Sequence, residues 1–200
     1  MMPVIVNTAA ACITMMMMLV LLKAGVVKRN MAALIISCVC IVIPIETFDI
    51  HRMLIWCVLM LHVYTDVAEH TVISDVTWGA LAAEIVYAAA TRSFTAQSPY
   101  TLLFPAAFIM AVSFMSFASG DREIFMLIML YAYNTGHEPG RYMVVYMIFS
   151  VAVFVVYTVL VNAVRAVLHK KVSWYGAFVP GMAAAYFIIE FFGIDLIKVL

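Results

Sequence analysis

Apolar residues fill this chain in long runs, broken by short polar patches. A bilayer core asks for about 20 apolar residues per helix, fewer where polar side chains snorkel at the ends. On that measure the runs predict eight helices, at about 3–22, 31–46, 52–66, 76–91, 99–117, 123–135, 142–165 and 173–197. Lys23 closes the first, and Pro44 and Glu46 end the second. Arg52 and Asp66 bracket the short third. Every predicted loop is brief, with no linker, low-complexity tract or convincing repeat.

Composition supports the same picture. Of 200 residues, 67% are hydrophobic and 11% charged, against about half apolar and a quarter charged in an ordinary soluble domain. No soluble core hides that much apolar surface, so the bilayer acts as solvent. The runs cover the whole length, which argues against a single anchor or a signal peptide ahead of a soluble body. The expected fold is therefore all-α, a polytopic transmembrane bundle. It divides into an N-terminal helix pair, 1–50, and a six-helix core, 51–200. Net charge is zero and there is no basic tract, so nucleic acid is not an expected partner. Cys12, Cys38, Cys40 and Cys57 lie inside apolar runs without a CxxC pair. They read as small hydrophobes rather than a disulfide framework or a metal site. The 16 methionines read as packing or lipid-facing residues.

Orientation follows from the basic residues of alternate loops. One face collects Lys23, Lys28, Arg29, Arg122, Arg165, Lys170 and Lys171; the other collects Arg52, Arg92, Arg141 and Lys198. The richer face is expected in the cytoplasm, with the N-terminus outside. Between Asp66 and Asp121 the predicted chain crosses twice and returns to its starting side. Both aspartates are then expected at the cytoplasmic ends of incoming helices.

A carboxylate inside a membrane is costly and is usually functional or paired. Taken singly, Asp66 and Asp121 read as interfacial carboxylates in water. Together they offer more, because two neighbouring carboxyls cannot both ionise freely and share a proton. Such a pair activates water and protonates a carbonyl with no metal or cofactor. Gly120, before Asp121, permits close approach of another backbone or a substrate. The sequence has no HExxH and no GxSxG. Glu69, His70 and Glu123 read as solvated, or as tuning the pair and docking a basic substrate segment. Asp75 resembles a helix N-cap. Glu84 falls within a predicted helix and should be structurally paired or line a polar path. Asp49, His51, His137, Glu138, Glu190 and Asp195 are expected simply to meet water.

These pieces resemble the type IV prepilin peptidase family of membrane aspartic endopeptidases. Its first motif, D-x-x-x-x-x-I-P-N, aligns with Asp66-Val-Ala-Glu-His-Thr-Val72-Ile73-Ser74. The aspartate and the β-branched position match, while Ile73 and Ser74 replace proline and asparagine. Its second, GxGDxK, aligns with Ala118-Ser119-Gly120-Asp121-Arg122-Glu123. There the second glycine and the aspartate match, and Ala118 and Glu123 depart. A softer likeness is the basic run from His169 leading to Pro180-Gly181. The resemblance covers about 53–200 and leaves 1–46 without a counterpart. It implies a small, peptidase-only member in the inner (cytoplasmic) membrane, with Asp66 and Asp121 as catalytic pair. Its implied partner is a pilin-like precursor with a basic leader and an apolar helix, cut at the cytoplasmic face. The competing readings are a transporter or channel subunit using Glu84, Asp66 and Asp121, and a catalytically inactive membrane partner of a pilus or secretion system. Other intramembrane proteases with a YD and GxGD pair fit less well, since Tyr64-Thr65-Asp66 is not a YD.

Overall fold

The computed structural model describes residues 2–27, 30–91, 99–103, 106–107, 109–110, 119–171 and 177–192. Those residues carry seven α-helices rather than the eight expected: α1 (Met2–Lys23), α2 (Met31–Val42), α3 (Ile50–Glu69), α4 (Ser74–Ala90), α5 (Ser119–Asn134), α6 (Pro139–Val167) and α7 (Val179–Phe191). A short 3-10 helix covers Pro99–Leu102, and no strand occurs among the described residues. The predicted fifth helix, 99–117, lies largely outside the described residues, as do Ala118, Asp195 and the loop residues Lys28, Arg29, Arg92 and Lys198.

Local signals set the helix ends. Asn30 caps α2, its side chain accepting from the amide of Ala33 at 3.1 Å, which satisfies one of the orphan donors of a first turn. Asp49 was expected simply to meet water. It is exposed, and it also caps α3, accepting from the Arg52 amide at 2.8 Å. Asp75 was expected as a cap, but the cap position of α4 is Ile73, and Asp75 lies in the first turn facing the helix dipole. Pro44 stops α2 early: its carbonyl accepts from the amides of Thr47 and Phe48 in the turn that leads to α3. Buried Asn7 of α1 serves the same turn, donating to the carbonyls of Ile45 at 2.9 Å and Phe48 at 2.7 Å. Carbonyls withdrawn from water need a partner, and the amide supplies it.

Three helices, α1, α3 and α6, are long and apolar enough to cross a membrane. Only 22% of the apolar window of α1, and 22% of that of α6, is buried in protein. Ile5, Leu19, Val20, Val155, Val156 and Leu160 face outwards. An apolar exterior of that extent suits lipid, not water. At 12 and 13 residues, α2 and α7 rise about 18–20 Å, short of the roughly 30 Å hydrocarbon core.

The chain forms two compact units, one of Met1–Thr71 with Tyr146–Ile194, the other built on Val72–Val145. In the first, α1, α2 and α7 pack on α3. An aromatic cluster of Phe48, Trp56, Tyr186 and Phe187 fills the α3–α7 seam, with the Trp56 and Tyr186 rings stacked at 6.5 Å. Glu190 was expected to meet water. It is instead buried there, its Oε2 2.9 Å from Arg52 Nε. Gly181 admits α6 closely: a Cβ in its place would stand 2.8 Å from the Ser150 carbonyl oxygen. In the second unit, α4 packs on α5. Glu84 is paired there, as expected for a carboxylate within an apolar helix. The Asn134 side-chain amide donates to Glu84 Oε2 at 2.6 Å and to the Glu84 carbonyl at 2.9 Å.

Candidate active site

Asp66 lies in the last turn of α3 and is 7% exposed. That turn closes on His70, which adopts the left-handed conformation (φ 54°) and returns its amide to the Asp66 carbonyl at 2.8 Å. A single bond of this kind is a common helix stop, and His tolerates the conformation better than most residues. Asp66 Oδ2 accepts from the Val179 amide at 2.9 Å, and the Phe178 backbone also bonds this carboxylate. Val179 opens α7 and Pro180 follows it. Proline suits a helix start because the first-turn amides have no intrahelical acceptor. Asp66 therefore satisfies the free donors of a helix remote in sequence, where the helix dipole also favours a carboxylate.

Asp121 sits in the first turn of α5 and is 8% exposed. The helix begins at Ser119, earlier than the predicted 123, so Asp121 belongs to the start of α5 rather than to the end of an incoming helix, where it was expected. Gly120, beside it, is buried, and a Cβ there would stand 2.5 Å from the Val72 Cβ. Only glycine lets these two segments meet. Glu123, on the same turn, accepts from the Ser74 hydroxyl at 3.2 Å through Oε1; its buried Oε2 has no hydrogen-bond partner among the described residues. Glu69, the last residue of α3, is half-buried, and His70 is exposed.

Of the six residues singled out from the sequence, Asp66, Glu69 and His70 belong to the first compact unit, and Gly120, Asp121 and Glu123 to the second. Several contributors escaped sequence reasoning. The Val179 amide was one, although Pro180-Gly181 signals a helix start and a helix start attracts carboxylates. Ser74 and Val72 were noted only as motif positions, not as packing and hydrogen-bonding partners of Glu123 and Gly120. Among the described residues, no group of three or more His, Cys, Asp or Glu side chains is placed to hold a metal ion, and all four cysteines are free thiols. No protein-family model, curated protein or solved structure matches this chain.

Proposed function

We propose that this chain is a membrane aspartic endopeptidase that removes the basic leader of pilin-like precursors, with Asp66 and Asp121 as its catalytic pair. The observation that carries the reading is the contact of Gly120 with Val72. It fastens the GD motif to the β-branched position of the first motif, two segments remote in the chain that share the family resemblance. The Ser74–Glu123 hydrogen bond supports the same junction, and so does the burial of both aspartates at helix ends.

The chemistry needs only these side chains and water. Two neighbouring carboxyls hold one proton between them, because their like charges oppose joint ionisation. The ionised member takes a proton from water as the water oxygen attacks the scissile carbonyl carbon. The protonated member gives its proton to the carbonyl oxygen, leaving a neutral tetrahedral diol. The intermediate collapses as the C–N bond breaks and the nitrogen takes up a proton. The amine and the acid leave, and the pair again holds one proton.

On this proposal the catalytic end faces the cytoplasm, in keeping with the seven basic residues on that loop set. The leader docks through its positive charge against Glu69 and Glu123. Co-expression with pilin-like precursors tests the reading. The wild-type chain should shorten the precursor, and Asp121→Asn and Asp66→Asn should each leave it full length while still inserting. Cleavage that survives either change refutes it. Charge reversal at Glu69 and Glu123 should weaken leader recognition, and unchanged cleavage removes that assignment.

A further inference from the structure

Helix α6 ends in a basic cluster. The helix stops at Val167, and His169 takes the left-handed conformation (φ 53°). The chain then doubles back: the His169 amide donates to the Ala166 carbonyl at 3.0 Å, and the Lys170 amide to the Arg165 carbonyl at 2.8 Å. This double closure is a common helix stop. Here it folds Lys170 back against the last turn, which carries Arg165. Lys171 follows, and His169, Lys170 and Lys171 are all exposed. We propose that this end of α6 binds the headgroups of anionic phospholipids of the surrounding bilayer. The proposal does not rest on the peptidase reading.

Three observations favour that occupant. First, the charge is left uncompensated. Arg165, Lys170 and Lys171 make no side-chain hydrogen bond or ion pair among the described residues, and the sequence has no Asp or Glu from 139 to 189. The cation at the opposite end of α6 is neutralised, with Arg141 Nε 3.2 Å from Glu138 Oε2. Arg52, at the start of α3, is likewise held by Glu190. The dipole of α6 accounts for a cation in its last turn, at Arg165, but not for two more beyond it. Second, the cluster is interleaved with apolar side chains that the protein leaves uncovered: Val164 is 59% exposed, Val167 77% and Leu168 57%. An acidic soluble partner would satisfy the cations and leave these three in water. A phospholipid covers both, its phosphate meeting the cations and its acyl chains the apolar side chains. Third, the helix is long enough. Its 29 residues rise about 43 Å, against roughly 30 Å of hydrocarbon, so its basic end reaches the headgroup layer. A precursor with a basic leader is repelled by the same cluster.

The test uses the full chain in bilayers of mixed composition. A fluorescent amino acid replaces the exposed Ala166, and brominated phosphatidylglycerol or brominated phosphatidylcholine quenches it on contact. The ratio of the two binding constants measures headgroup preference at the cluster. Phosphatidylglycerol should be preferred about tenfold, which corresponds to about 1.4 kcal/mol, in line with one or two basic side chains at a headgroup layer. The preference should fall to about twofold or less in the Arg165→Gln/Lys170→Gln/Lys171→Gln variant and persist in Lys170→Arg/Lys171→Arg. A second measurement, with every charge in place, covers failure of the glutamine variant to insert. With the probe moved to the exposed Val144, near the paired Arg141, the preference should vanish. At Ala166 it should weaken as salt is raised to about 1 M. Equal quenching by the two lipids at Ala166 overturns the proposal, as does an equal preference at both ends of α6 or one that survives in the glutamine variant. Loss of the preference on adding inorganic phosphate at constant ionic strength also overturns it, because the cluster is then a site for free anions. None of these readouts depends on precursor cleavage.

Discussion

Asp66 and Asp121 are both buried at helix ends, yet they are held by different means. Asp66 ends its helix and gives its side chain to the start of another, more than a hundred residues later in the chain. Asp121 begins its helix, next to a backbone that closes on another segment, Gly120 against Val72. The first arrangement is a hydrogen bond across helices, and a substitution that keeps an oxygen keeps the bond. The second is a steric fit, and one added methyl group is enough to disturb it. The two aspartates should therefore respond alike in catalysis and differently in stability.

The largest expected effect is the shared one. Asp66→Asn and Asp121→Asn should each lower precursor cleavage by about 10³-fold or more, the range expected when a general acid or base is lost. Gel-shift assays in proteoliposomes measure it, and a large effect at only one position breaks the symmetry between them.

Stability then separates the two regions. Gly120→Ala should cost about 1–3 kcal/mol as the new Cβ meets Val72. Val72→Ala in the same molecule should recover part of that loss. Denaturation of the single and double variants in detergent gives the coupling energy, and strict additivity would remove the contact from the account. On the Asp66 side, Asp66→Ala should be less stable than Asp66→Asn by about 1 kcal/mol, since asparagine keeps an acceptor for the Val179 amide and alanine does not.

A control lies at the far end of the α3–α7 seam. Arg52→Met leaves the buried Glu190 carboxylate without its ion-pair partner, with a loss of about 3 kcal/mol, and cleavage of the protein that remains folded should be unaffected. The smallest effect is expected at His70. His70→Gly relieves a left-handed residue and should raise stability by about 0.5 kcal/mol. A loss there would show that the imidazole makes an interaction that outweighs the strain.

Some of this was legible in the residues. Long apolar runs and few charges fixed a helical, lipid-facing protein, because no other use of so much apolar surface is stable. The caps were harder to read. Asp75 looked like a cap and is not, while Asp49, rightly read as solvated, is a cap as well: a cap depends on where the backbone leaves the helix, and that varies by a residue or two. Glu84 was rightly read as paired, since an unpaired carboxylate is too costly within an apolar helix. Glu190 was missed because its partner, Arg52, is far away in sequence.

The sequence by itself determined the helical class, the preference for lipid and the two aspartates as the candidate pair, because transfer energy and residue chemistry are local properties. Only the tertiary structure decided that a backbone amide of α7 takes the Asp66 carboxylate and that Val72 closes on Gly120. Those facts depend on which helix ends meet. Helix packing is selected by the fit of many side chains at once, and no single stretch of sequence records it.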